Sequence, residues 1–190
     1  HPAGNAGTHI HFLHPIGRGT TVWTINYQDV IAIGKLFTTG RIHTERLISL
    51  AGPAVANPRL VRTHRGADLL ELTAGELNGD DNRIISGSVL SGRKAAGAVA
   101  FLGRFHNQVS ALAEGRERPA MHFFTLGANR FSKLPIYISQ FFKGKKYNFT
   151  TSTNGSPRAM VPIGLYETVM PQDYLPTQLL RALIVEDIIS

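Results

Sequence analysis

Eight histidines and no cysteine set the chemistry open to this 190-residue chain. His9 and His11 stand two apart, so on a strand they would share one face, and His14 follows in the loop. Three neighbouring imidazoles could hold a divalent metal. No carboxylate accompanies them at a fixed spacing, and polar contacts at a strand end are the plainer account. His64, among Arg62 and Arg65, and His106, near Gln108, read as surface or capping residues. Neither meets a Ser and an Asp in an order that suits nucleophilic catalysis. Zero cysteines removes disulfides, thiolate nucleophiles, Cys-ligated zinc and thiolate-held iron–sulfur clusters. The residues therefore spell no catalytic constellation and no metal site.

Anion binding is the next chemistry to weigh. Twenty Lys and Arg oppose thirteen Asp and Glu, a surplus of seven positive charges that favours an acidic partner. Gly17-Arg18-Gly19 has two of the glycines a phosphate loop wants, but no third follows and the strand comes after the loop. Lys143-Gly144-Lys145-Lys146 is a charged turn or a weak anion patch, and Ser91-Gly92-Arg93-Lys94 could meet a phosphate but better closes a hairpin. Neither an RNA-recognition signature nor zinc-finger spacing is present, so nucleic acid is not the expected partner. The longest apolar and glycine run, Ala95 to Gly103, is far below the roughly 20 residues that cross hydrocarbon. No transmembrane segment is expected.

The elements that must position these residues follow from periodicity. Residues 1–19 read as a loop with one extended piece, Thr8 to Leu13, and Thr20 to Tyr27 reads as a strand. A helix follows with Asp29 as its cap and Val30, Ile33, Gly34 and Phe37 on one stripe buried against a sheet; Gly40 ends it. From Glu45 the rhythm is of short strands: Leu47 to Ala51, a break at Gly52-Pro53, Arg59 to Thr63, a brief helix over Ala67 to Ala74 with Leu69, Leu70 and Leu72 on the core, then Arg83 to Leu90 and Asn107 to Leu112. Strand, strand, helix, strand, strand is the order of a β-grasp. Gly52 and Gly66 are expected at backbone positions that a β-carbon would strain. Later, Phe123, Phe124, Ile136, Ile138, Phe141 and Phe142 read as buried pieces. Asn148 to Thr153 and Met160 to Tyr166 suggest strands around the Asn154-Gly155 turn. Asp173 would cap a final amphipathic helix whose stripe runs Leu175, Leu179, Leu180, Leu183, Ile184 and Ile188. Starting at His1 and stopping after that stripe, the chain reads as a piece of a longer polypeptide.

Several runs carry a resemblance: Gly7-Thr8-His9-Ile10-His11-Phe12, the stretch Tyr27 to Arg41, Leu50-Ala51-Gly52-Pro53, Asn57 to Thr63, Ser86 to Gly92, Asn154-Gly155, and Arg158 to Gly164. Across nearly the whole chain the sequence resembles the A subunits of bacterial Na⁺-translocating NADH:quinone oxidoreductases. Such subunits are similar to the flavin-binding subunit of respiratory complex I and to one component of the Rnf complex. The resemblance departs at His14, where the family commonly has an acidic residue.

The resemblance implies an α+β fold in three parts. Residues 1–42 would be the tail of a Rossmann-like α/β domain, 43–113 a soluble-ligand-binding β-grasp (SLBB) domain, and 114–190 a C-terminal α+β segment ending in the amphipathic helix. It also implies membership of a complex that passes electrons from NADH through flavins and an iron–sulfur centre to ubiquinone and exports Na⁺. This piece would hold none of those cofactors. It would belong to a peripheral subunit on the cytoplasmic side of the bacterial inner membrane, docked on other subunits and especially on the B subunit. Arg59, Arg62 and Arg65 are the contact candidates. The alternative is a β-grasp module that binds a soluble ligand, a quinone or a glycan, without catalysis.

Overall fold

A computed structural model describes residues 4–118, 124–132 and 135–187. Two compact units divide the chain, one of residues 28–155 and one of residues 1–27 with 156–190.

The larger unit is built on a five-stranded sheet. Its strands are β1 (Glu45–Ala51), β2 (Arg59–His64), β3 (Asn82–Ser86), β4 (Arg93–Lys94) and β5 (Gln108–Ala113), in the order β2-β1-β5-β3-β4. β1 and β5 run parallel and the other pairs antiparallel. Alternation along β1 turns Arg46, Ile48 and Leu50 inward. Ile48 and Leu50 meet Val109 and Ala111 of β5, with Ala54, Val55, Leu69, Ala95 and Leu102, in one apolar cluster. Numbering helices in chain order, the short α3 (Leu69–Leu72) follows β2. Asp68 starts it by accepting from the Leu70 amide at 2.7 Å, and Leu69 is fully buried beneath. This is the strand, strand, helix, strand, strand order expected of a β-grasp, with the two-residue β4 added after β3. The helix is shorter than the eight residues expected, and Leu70 points to solvent. Four residues cover one turn, so only one leucine of the adjacent pair can face inward.

Before the sheet comes α2 (Tyr27–Thr39). Gly40 closes it at φ +69°, its amide returning to the Leu36 carbonyl at 2.8 Å. Two expectations fail here. Asp29 lies inside the first turn and binds arginines rather than capping the helix. The stripe of Val30, Ile33 and Phe37 is exposed, and the buried residue of the helix is Asp29.

In the smaller unit, Ala6–Leu13 forms α1 where an extended piece was expected. Side chains two apart on a helix diverge by about 200°, so His9 and His11 do not share a face. Residues 20–26 have no regular structure and make no strand. The β-branched content is there, but strand propensity needs a ladder partner to act on. The strands expected over 148–153 and 160–166 are likewise absent; Asn154 does turn at φ +54°, while Pro157 and Pro162 remove ladder donors. Phe124, Ile136, Ile138, Phe141 and Phe142 are exposed rather than buried, and Phe123 lies outside the described residues. The last helix, α4 (Pro176–Ile184), begins at Pro176 after Leu175. Asp173 does not cap it; the Glu167 carboxylate accepts from the Thr177 amide at 3.3 Å instead. Leu179, Leu180, Leu183 and Ile184 face solvent, and Ile188 lies outside the described residues.

Candidate functional site

The basic residues gather at one edge of the sheet. Among the described residues β2 is an edge strand paired only with β1, and its sequence, Arg-Leu-Val-Arg-Thr-His, runs straight into Arg65. Arg59 grips Glu76 with two parallel bonds of 2.6 Å, the fork-to-carboxylate geometry that fixes a guanidinium in place. Mutual bonding raises the Arg59 pKa and lowers that of Glu76. Arg62 reaches Glu45 through one nitrogen at 3.0 Å and keeps 74% of its side chain exposed. Arg65 stands 3.9 Å from Asp29. Each of the three arginines named from sequence therefore has an acidic neighbour within the fold, and Arg62 is the most exposed of them.

Asp29 is the hub of a denser cluster. Its carboxylate accepts from Arg46, which is buried on β1, and from Arg104 at 2.9 and 3.1 Å. Burial acts to raise the Asp29 pKa, but the hydrogen bonds and charges of Arg46 and Arg104 outweigh it and the net shift is downward. The adjacent Gln28 completes the join. Its side-chain amide accepts from the Leu47 amide at 3.0 Å and donates to the Leu47 carbonyl at 2.8 Å, with a further 3.3 Å bond to Asn107. β5 pairs with β1 only from Ser49 onward. Gln28 thus supplies, from a helix side chain, the ladder partner that β5 has not yet provided. Sequence reading missed both roles, because a single Gln and Asp at a helix start look like ordinary polar capping.

A second polar pair lies at the other end of the sheet. Ser86, wholly buried, accepts from the Gly103 amide at 2.9 Å and sits 2.8 Å from Nδ1 of His106. A β-carbon at Gly103 would come within 2.4 Å of the imidazole, and one at Gly87 within 3.1 Å, so the glycines make room for the ring. Burial first, then the charge of Arg93, lowers the His106 pKa. A neutral imidazole with Nδ1 as acceptor fits this bonding. His106 is therefore a packing residue rather than a surface cap. Among the described residues no carboxylate bonds the His106 ring, and the Ser86 hydroxyl is sealed from substrate, so it is not a nucleophile.

Phe131, Tyr137, Phe142 and Tyr147 line an open-sided cavity of about 260 Å³. Lys145 lies over the Phe142 and Tyr147 rings and donates to the Asn129 side chain and the Ala128 carbonyl. Lys145 is exposed beside the turn at 143–144, as expected, and it also lines one wall of the cavity. Among the described residues no three His, Asp or Glu side chains gather as metal ligands, and no helix is long and apolar enough to cross a membrane. His11 instead packs against Phe12 and Tyr174.

A mixed sheet over one short helix, joined to a preceding helix by side-chain bonds, defines an α+β protein with a β-grasp-like domain. Residues 1–42 match the family model of the NqrA second alpha/beta domain, and residues 47–97 that of the NQRA C-terminal domain, of SLBB type. Over 98% of its length the chain is 66% identical to the A subunit of the Na(+)-translocating NADH-quinone reductase of Saccharophagus degradans. The corresponding subunits of Teredinibacter turnerae and Pseudomonas aeruginosa are 65% and 63% identical over the same share. The chain belongs to this family of reductase A subunits. It spans 42% of the length of these curated relatives.

Proposed function

We propose that this stretch works inside a Na⁺-translocating NADH-quinone reductase as a docking and scaffolding unit, holding its subunit onto the others, and that its principal partner is the B subunit. The complex would oxidise NADH, reduce ubiquinone and export Na⁺ through flavins and an iron–sulfur centre held elsewhere, at the cytoplasmic face of a bacterial inner membrane. In this reading residues 1–42, 43–113 and 114–190 act as the end of an α/β domain, an SLBB domain and a C-terminal segment.

The observation that carries the proposal is the basic strand Arg59–His64 at an open sheet edge, where Arg62 is exposed and holds spare donors. Interfaces favour arginine because its planar fork bonds carboxylates in pairs. In the full-length A subunit, Arg59→Gln, Arg62→Gln and Arg65→Gln together should weaken binding to the B subunit by tenfold or more. The melting temperature should be compared alongside, since Arg59 and Arg65 also have partners in the fold. Unchanged affinity in a folded variant removes these arginines from the interface.

A second reading, ligand binding without catalysis, is favoured by the aromatic cavity at 131–147. Its volume sits below the roughly 300–1,000 Å³ of drug-sized pockets, so it suits a single ring such as a quinone head or one sugar. Titration with a short-chain quinone, followed by the ring resonances of Tyr137 and Tyr147, should give saturable shifts at those two residues. Saturation elsewhere on the chain counts against the cavity.

A further inference from the structure

We propose that the outer edge of β2 takes up an extended segment of another polypeptide as a sixth strand, and that this segment carries an acidic side chain opposite Arg62. This deepens the docking reading above and rests on it.

Backbone bonding fixes which groups are on offer. The Ser49 amide donates away from β2, to the Asn107 carbonyl at 3.0 Å, and the Arg65 amide donates to Thr44 at 2.9 Å. In an antiparallel pair, bonded and non-bonded residue pairs alternate. With Ser49 opposite Leu60 and Leu47 opposite Arg62, the residues that exchange bonds with β1 are Arg59, Val61 and Thr63. The amides of Leu60, Arg62 and His64 and the carbonyls of Leu60 and Arg62 point outward, and no other described strand pairs with them; the His64 carbonyl accepts from the Ala67 amide at 3.2 Å. Three donors and two acceptors in extended register are a ready template for strand addition.

Native edges are commonly protected by proline, a bulge, a covering loop or a very short strand. β2 has six residues and no proline, its register with β1 runs without a bulge, and Leu60 is 66% exposed. The side chains of Leu60, Arg62 and His64 lie beside the half-exposed Leu47. An incoming strand would therefore cover an apolar pair as well as the backbone groups.

Charge selects the occupant. Of the arginines on and just after this strand, Arg59 is held by Glu76 and Arg65 lies near Asp29, while Arg62, 74% exposed, keeps positive charge and donors beyond its single bond to Glu45. A second copy of the chain would fit poorly. Two β2 edges paired antiparallel about a twofold through the middle outward residue set Arg62 against Arg62, and like charges directly opposite destabilise a sheet. An acidic segment of a different chain meets the same groups with the opposite sign.

Hydrogen exchange on the full-length A subunit, both free and within the assembled reductase, tests this. In the free protein the Leu60, Arg62 and His64 amides should exchange quickly while those of Arg59, Val61 and Thr63 are slow. In the assembly the three fast amides should slow at least tenfold. Leu60→Pro removes one outward donor without touching the β1 ladder, so it should leave the free protein's melting temperature nearly unchanged yet abolish co-purification with the other subunits. If the assembly forms and the three amides stay fast, the edge inference is overturned and the docking reading stands. If the wild-type A subunit does not co-purify with the others, both fall. Protection that appears in the free protein as its concentration rises identifies a second copy as the occupant and overturns the choice of an acidic segment. The exchange measurement needs no variant, so a Leu60→Pro protein that fails to fold still leaves the inference open to refutation.

Discussion

Replacing Gly52 with alanine tests how closely β1 and β5 are packed. Gly52 adopts φ +125°, and a β-carbon built there lies 2.3 Å from the Ala111 carbonyl oxygen and 2.8 Å from its nitrogen. Ordinary carbon-to-oxygen approaches are about 3.3 Å or more, so β5 must retreat by about 1 Å. Ala111 is wholly buried in the core, and its carbonyl also accepts from the Ala54 amide at 3.3 Å. The backbone strain costs about 1–3 kcal/mol, the hydrogen bond about 0.5–1.5 kcal/mol and the disturbed packing about 1–3 kcal/mol. A total of roughly 2.5–7.5 kcal/mol would remove much of a typical domain's 5–15 kcal/mol. Gly66 provides the control. It has φ +70° with open space around it, so Gly66→Ala incurs only the left-handed penalty of about 1–2 kcal/mol. Urea unfolding of both variants should place Gly52→Ala about 2 kcal/mol or more below Gly66→Ala, or find it unable to fold. Equal stabilities would refute the close approach of Gly52 to β5.

Ser86→Ala strips the buried Gly103 amide of its acceptor and His106 of its partner, and should cost about 1–3 kcal/mol in the same unfolding assay. Glu114 accepts from Arg83 at 2.8 and 2.9 Å and from the Thr151 hydroxyl at 2.6 Å; these bonds, Arg83 foremost, hold its pKa down to about 2 from an ordinary 4.5. A depressed carboxylate contributes stability that is complete above pH 4.5 and lost as the pH falls toward 2. Glu114→Gln should therefore flatten the acid-unfolding curve across that window, and a carbon-detected titration of Glu114 should show the low midpoint directly.

The sheet was legible in the sequence because its strands are short, because Gly-Pro and Asn-Pro breaks separate β1 from β2, and because Leu47 to Ala51 is an apolar run while Val109 stands between Gln108 and Ser110. Outside it, the same signals misled. Val22 and Ile25 have strand chemistry but no ladder to join, and the stripes on α2 and α4 have helical spacing yet face solvent. Periodicity reports which face is apolar, not what covers it. Of the site, the basic strand could be read directly, since Arg59, Arg62 and Arg65 are neighbours in the chain. The partners that hold those arginines could not, because Glu76, Glu45 and Asp29 reach them only through the fold. Gln28 gave no signal at all: its role depends on where β5 begins, which no local pattern encodes.

That glutamine moves the mechanical seam of the molecule. The two family matches meet between residues 42 and 47, where a boundary drawn from sequence would cut. The stitches from Gln28 to Leu47 and from Asp29 to Arg46 and Arg104 instead bind the first turn of α2 to the strand that follows it, so helix and sheet travel as one body. A truncation after residue 42 would orphan a buried guanidinium and bare a stretch of β1, whereas one placed before Tyr27 would leave the suture intact.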